Sequence, residues 1–317
     1  MTTDSQEVSV SNYVRSESDF QMSEYVRIYH CFGVLVHSRK PYDVMNQVTV
    51  RGNRDTLYSF GVFDLTSPLT VSLPDSAGRY QSLMSVSQDH SIEVFYGPGD
   101  VTLSADSVGT RYVLATVRTF MDPNDKDDVA EAHRLQDQVE ISQDDIGILD
   151  LPNWDQEQVE SVRSRLAEVG ALATDSSKMF GRKDDLDPVY WTLGAAMGWG
   201  GLPARDAMYG ITFPDNSDGV APYTLTVSEV PVDAFWSVTL YDDQGWMPVN
   251  EYNAYSYNSV TAERNADDSV TIHFGGNPDQ PNFLPVVEGW NYIFRTYRPQ
   301  PALLHGTWTY PELRPAD

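Results

Sequence analysis

The chain has 317 residues, 41% hydrophobic and 12% aromatic, which is enough to bury one large or two medium cores and excludes a disordered chain. Forty-six acidic residues against 21 basic ones give a net charge of -25, which disfavours nucleic acid and anionic lipid as partners. There is no run of about 18 apolar residues, so no membrane span is expected, and the single cysteine, Cys31, excludes an intrachain disulfide.

The acid is spread along the chain, and the basic residues are four lysines and seventeen arginines. This pattern reads more readily as a solubility device, at a Debye length of about 3 Å near 1 M salt, than as a dock for a cationic partner. The N-terminus is polar and acidic and lacks the regions of a secretory signal. Together these point to a salt-adapted cytoplasm.

In chain order, residues 1–22 read as a flexible N-terminus. A helix is expected from Ser23, with Tyr25, Ile28, Tyr29, Phe32 and Val36 near helical spacing, ending at Pro41. Strands are expected over 47–51, 56–63, 69–73, 79–86, 91–96 and 111–119, with turns at 74–78 and 97–100. Residues 121–128 read as a linker into a helix carrying Val129, Ala132, Leu135 and Val139. A second helix begins after Pro152-Asn153-Trp154, with Asp155 and Gln158 at capping-box spacing. A third begins at Asp187-Pro188 and runs into Gly198-Trp199-Gly200-Gly201, which lacks the Lys-Ser/Thr of a phosphate loop. Strands return over 223–228, 234–241, 269–274 and 291–298. On the 234–241 strand, Trp236, Val238 and Leu240 share one face and Phe235, Ser237, Thr239 and Tyr241 the other, so the second face lines either a cavity or solvent. The order is β, then helical, then β: two antiparallel β-sandwich or jelly-roll-like domains with an α-helical connecting segment.

The block Asn53-Arg54-Asp55-Thr56-Leu57-Tyr58 sits at the mouth of the 56–63 strand, which is apolar on both faces. A polar cluster there is either a fold-locking hydrogen-bond network or a site, and the need of every buried polar group for a partner favours locking. This block, Asp64-Leu65, Leu73-Pro74-Asp75 and Arg79-Tyr80 resemble the signature of the bacterial and archaeal DUF1254 family. Residues 235–242, Asn250, Tyr255-Ser256, Asp268, Asn282, Leu284-Pro285, residues 295–299 and Gly306-Thr307-Trp308 resemble its usual companion, DUF1214. Asp267-Asp268 stands where the family usually has Asp-Gly, and Phe283 where it has Trp or Cys before Leu-Pro. The resemblance implies a DUF1254-like β domain over 23–121 with an N-terminal helix, a helical connector over 122–205 and a DUF1214-like β-sandwich over 206–317. It also implies a homo-oligomer, and it brings no accepted catalytic residues.

The enzyme reading is a metal-independent hydrolase, glycosidase- or esterase-like, acting on a small or glycosylated molecule. Asp55, Asp89 and Glu93 are its candidate catalytic carboxylates, effective as a pair at roughly 5 to 10 Å. If 89–93 is strand, Asp89 and Glu93 point one way and His90 the other. Asn53, Arg54, Tyr58, Arg79, His90, Tyr96 and Trp236 are the candidate substrate-binding residues, the arginines for an anionic group and the aromatics for hydrogen bonding or stacking. The competing reading of each carboxylate is a turn cap or an arginine partner. There is no Gly-x-Ser-x-Gly, and the six histidines show no metal-ligand spacing, so no cofactor or metal is expected. Arg295 and Arg298 could bind an anion, but an arginine among aromatics more often pairs with an internal acid. The alternative function is a non-catalytic small-molecule or carbohydrate-binding, or assembly, β-sandwich. The two readings differ in geometry: an enzyme brings the carboxylates together with Arg79 in a pocket, whereas separately salt-bridged carboxylates leave it no basis.

Overall fold

The computed structural model describes residues 5–47, 50–173 and 175–316. The chain divides into two compact units, which do not follow sequence order. Unit 1 takes residues 1–39, 58–120 and 130–204; unit 2 takes 40–57, 121–129 and 205–317.

The first elements in chain order are helix α1 (Tyr13–Tyr29) and strands β1 (Val36–His37), β2 (Thr56–Asp64), β3 (Leu69–Leu73), β4 (Gln81–Ser87), β5 (Ile92–Tyr96) and β6 (Gly99–Leu103). Then come the short α2 (Ala105–Val108), β7 (Tyr112–Phe120), α3 (Lys126–Asp137), β8 (Glu140–Gln143), α4 (Gln156–Gly170) and α5 (Pro188–Gly198). In unit 1 a five-stranded sheet in the order β1-β2-β7-β4-β5 shares a core with a three-stranded sheet, β6-β3-β8. Phe63, Leu69, Val71, Leu83, Val113 and Val117 fill the space between them. Every residue of β4 and β7 is buried, and apart from Gln81 and Arg118 these strands carry apolar or small side chains on both faces. Beyond the sheets, α1, α4 and α5 pack on one another through Tyr13, Val14, Val162, Leu166 and Ala195. Asp155 caps α4 by accepting from the Gln158 amide at 3.1 Å, and Asp187 caps α5 ahead of Pro188.

Unit 2 continues with β9 (Ala207–Thr212), β10 (Tyr223–Val227), β11 (Trp236–Tyr241), β12 (Ser256–Asn258), β13 (Val270–Phe274), β14 (Phe283–Leu284) and β15 (Asn291–Tyr297), then α6 (Pro301–Leu304) and β16 (Arg314–Pro315). These form two four-stranded sheets, β14-β13-β10-β16 and β12-β11-β15-β9. Leu225, Val238, Ile272, Phe274, Trp290 and Phe294 form the core between them. The protein is therefore mainly β, as the strand spacing predicts, with two sandwich-like parts.

The N-terminal expectation needs correction. The helix begins at Tyr13 and not at Ser23, and it ends at His30 in the left-handed conformation, well before Pro41. Its first half is not a frayed tail: Tyr13, Ser16, Glu17, Ser18 and Asp19 are all buried. Polarity hid this, because Glu17, Ser18 and Asp19 are polar and each finds a partner elsewhere in unit 1. Glu17 pairs with Arg163 at 2.9 Å, Asp19 accepts from Gln88 at 2.6 Å and from the Trp154 indole at 2.9 Å, and Ser18 accepts from the Trp199 indole at 2.9 Å.

The strand expected over 47–51 falls partly outside the described residues. Its described end, Val50 and Arg51, is a turn, with Arg51 at a φ of 55°. The helical stretch expected as a connector is not a separate body. Its α4 and α5 belong to unit 1, while residues 121–129 belong to unit 2 together with 40–57. The 53–57 part of the signature block therefore folds with the C-terminal sandwich.

Candidate functional site: the seat of the signature block

The seat is built from one face of the β12-β11-β15 ribbon in unit 2. Antiparallel pairing puts Ser237 opposite Asn258 on one side and opposite Arg295 on the other, so three adjacent strands present these side chains in one row. Thr239 and Tyr241 follow Ser237 on the same face of β11. This face of β11 is neither solvent nor cavity wall: Ser237, Thr239 and Tyr241 are fully buried.

Residues 51–55 lie across it. Tyr241 donates its hydroxyl to the Gly52 carbonyl at 2.6 Å. Arg295 donates to the Arg51 carbonyl at 2.9 Å, to Tyr241 Oη at 2.7 Å and to Thr239 Oγ1 at 3.0 Å. Asn53 accepts from the Asp55 amide at 2.6 Å and donates to Tyr297 Oη at 2.6 Å. Arg54 lays its guanidinium over the Tyr255 ring, 4.8 Å from the centroid. Asp55 Oδ1 accepts from Asn258 Nδ2 at 3.2 Å, and its carbonyl accepts from the Met121 amide at 3.0 Å.

Two atoms at the centre are left over: Asp55 Oδ2 and Ser237 Oγ are buried with no hydrogen-bond partner among the described residues. Burial raises the Asp55 carboxyl above the usual range; the nearby Ser237 hydroxyl, the Arg295 charge and the Asn258 amide oppose the rise without cancelling it. Arg295 moves the other way from what its burial alone would do, because Tyr241, Tyr297 and Asp55 hold its charge. Asp55 is 1% exposed, so a substrate cannot touch it in this conformation.

The remaining candidates lie in unit 1. Asp89 is not on a strand: it sits in the turn between β4 and β5, so it does not share a strand face with Glu93 as the spacing predicts. It is clamped by Arg15 and, at 3.2 Å, by Lys183. Burial pushes its carboxyl up, but these two cations outweigh that and hold it below the ordinary value. Glu93 pairs separately with Arg182 at 2.6 Å. His90 is fully buried; its Nε2 accepts from the Gly200 amide at 2.9 Å and its ring stacks on Trp199 with centroids 6.0 Å apart. That burial pushes its pKa down to about 3, so it remains neutral at physiological pH. Arg79 donates to the Phe120 carbonyl at 3.0 Å, Tyr96 packs edge-on against Tyr80, and Tyr58 lies under the Arg118 guanidinium.

Thus Asn53, Arg54 and Asp55 come together in unit 2, while Asp89, His90 and Glu93 share the β4-β5 hairpin of unit 1. Trp236 is in unit 2, 6% exposed and packed on Phe294 in the core. The residues that sequence reasoning missed are Asn258 and Tyr241, which bond the block, and Ser237, which is buried beside it. Their signal lay in the hydroxyl-bearing face of the 234–241 strand.

Unit 2 also holds an open cavity of about 430 Å³. Val227, Val230, Val232 and Trp236 form its apolar wall, and Glu229, Arg264, Asp267 and Asp268 also line it. Arg264 Nη1 meets Asp268 Oδ1 at 3.0 Å. Among the described residues no group of three metal-ligating side chains converges, and no helix is long and apolar enough to cross a membrane.

Comparison with known proteins gives the same architecture. The crystal structure of the VPA0106 protein from Vibrio parahaemolyticus is similar over 97% of this chain and 98% of that one, with a TM-score of 0.75 and 20% identity. An uncharacterized protein from Burkholderia cenocepacia is similar over 97% of this chain and 86% of that one, with a TM-score of 0.50 and 14% identity. At these identities the likeness is one of fold. No curated protein matches the sequence. Residues 32–102 match the family described as protein of unknown function DUF1254, and residues 206–301 match protein of unknown function DUF1214. The chain belongs to the family that carries these two domains in tandem.

Proposed function

We propose that the protein binds a small molecule without transforming it, in the open cavity of unit 2, and that the 53–58 block locks the fold. The observation that supports this is the fate of the three carboxylates. Asp89 and Glu93 are each neutralised by their own cations, and Asp55 is sealed from solvent. Acid–base or nucleophilic work needs a carboxylate free to meet substrate. The cavity, by contrast, falls in the size range of small-molecule sites, roughly 300–1,000 Å³, with an apolar wall and a few polar groups at one end. Arg264 is half-exposed and committed to the exposed Asp268, and Glu229 and Asp267 also line the cavity, so its polar groups carry a net negative charge. The ligand class that fits is a compact apolar body carrying a cationic head.

Indole fluorescence tests this, since Trp236 lines the cavity. Benzylamine is expected to give a saturable change that Glu229→Gln weakens by about threefold, the effect of losing one exposed charge, and benzoate is expected to give none. Chromogenic esters and glycosides are expected to show no turnover. Turnover that disappears in a folded Asp89→Asn or Glu93→Gln variant would replace this reading with the hydrolase.

A further inference from the structure

Unit 1 contains a second cavity, of about 160 Å³, that the reading above does not use. Its floor comes from adjacent strands: Ser85 on β4 and Glu93 on β5 are Cα partners in the antiparallel pair and so face the same way. One wall is α2, set in place by the reciprocal Ser104–Ser107 cap, which brings Asp106 to the cavity. Arg182 and Asp184 also line the cavity.

The charges do not balance. Arg182 is committed to Glu93 at 2.6 Å, and its Nε lies 4.0 Å from Asp185. Asp106 and Asp184 have no ionic or hydrogen-bond partner for their carboxylates among the described residues. The lining therefore carries a surplus of negative charge in a concave site, where the field is focused.

The floor supplies an independent observation. Ser85 is only 4% exposed, and its hydroxyl has no hydrogen-bond partner among the described residues. A hydroxyl that is buried by its own strands yet opens on a cavity is satisfied only by what enters that cavity. A bare divalent metal is a poor occupant, because hard cations take six or more oxygens and no three carboxylate or imidazole groups converge here among the described residues.

We infer that this cavity binds a small hydroxylated ammonium, of amino-alcohol size, with its cationic end facing Asp106 and Asp184 and its hydroxyl on Ser85. The site is distinct from the unit 2 cavity in its lining residues and in lacking that cavity's wall of valines and tryptophan.

The test is calorimetric titration with ethanolamine, and separately with ammonium chloride and ethylene glycol, at one fixed ionic strength. Ethanolamine is expected to bind saturably and at least about tenfold more tightly than either fragment. Ser85→Ala is expected to weaken it about fivefold, the usual effect of one neutral hydrogen bond, and to bring it toward ammonium. Asp106→Asn, on the exposed α2, is expected to weaken ethanolamine and ammonium alike without disturbing the strands. Glu229→Gln in unit 2 is expected to leave the titration unchanged, which keeps the two sites separable. Equal binding of ethanolamine and ammonium, or full affinity in Ser85→Ala, would reduce the cavity to ordinary acidic surface and overturn the assignment.

Discussion

Asp55 holds an acid where water is absent, and its partners explain how it is tolerated. Its single hydrogen-bond donor on the side chain is neutral, from Asn258, and burial outweighs the pull of Arg295, so its pKa is raised. The sign follows directly. A carboxyl with a raised folded pKa holds its proton more tightly folded than unfolded, so stability falls as pH rises from the unfolded value of about 3.9 through the raised one. Asp55→Asn, which is isosteric and can donate to the unpaired Ser237 Oγ, is therefore expected to be at least as stable as the parent at pH 7. The difference should close on acidification to about pH 4, as followed by urea unfolding at each pH. Arg295 is the opposite case. Its planar fork satisfies four acceptors, counting the weaker contact to the Gly52 carbonyl at 3.5 Å, and it is 4% exposed. A lysine keeps the charge but not the fork. Arg295→Lys is expected to destabilise unit 2 by about 3 kcal/mol, measured the same way. The polar character of the 53–58 block was legible in the sequence. Its partners were not, because Asn258 and Arg295 lie more than 200 residues away and only strand pairing brings them into one row.

Strands with uniform or alternating patterns were legible, and β2, β3, β10, β13 and β15 lie within one or two residues of their expected places. Elements whose burial is polar were not, as α1 shows. The edge strand β9 was also missed. Among the described residues it pairs with β15 alone and leaves Ile211 exposed, with Phe213 exposed just beyond its end, so its alternation of apolar residues does not mark a buried face. The turn between β4 and β5 decides how the Asp89–Glu93 pair is read, since a residue in a turn loses the period of two on which the expectation rests. At the far end of β2, Asp64 ties three segments of unit 1 together. It accepts two hydrogen bonds from Arg111 at 3.1 and 2.7 Å, one from the Thr66 amide at 3.0 Å and one from the Ile148 amide at 3.2 Å. Burial raises its pKa, but the Arg111 pair and the two amides win and hold it down at about 2. Its contribution is present above pH 4 and is lost as pH falls from about 4 to about 2. At about 1.4 kcal/mol per unit, discounted because Arg111 is 40% exposed, this amounts to roughly 2 kcal/mol. Asp64→Asn should remove that limb of the acid unfolding curve.

Across the whole molecule, composition set the class and the charge, while chain order misled about the units. Residues 40–57 are early in sequence, yet they fold with the late strands that supply their hydrogen-bond partners. The chain's net charge of -25 repels itself more as the Debye length grows from about 3 Å at 1 M salt to about 30 Å at 0.01 M. Thermal unfolding should therefore move to lower temperature as salt is removed. The central claim is that the signature block is a lock, and amide hydrogen exchange on β11 and β15 tests it most directly, with Asp55→Ala beside Asp55→Asn. Alanine strips the Asn258 amide of its acceptor and opens space beneath Ser237, at a cost of about 3 kcal/mol, which is about a hundredfold in exchange rate. The lock predicts that loss in both strands for alanine, and parent-like protection for asparagine at pH 7. Full protection in Asp55→Ala would contradict a locking role and return Asp55 to the list of candidate catalytic groups.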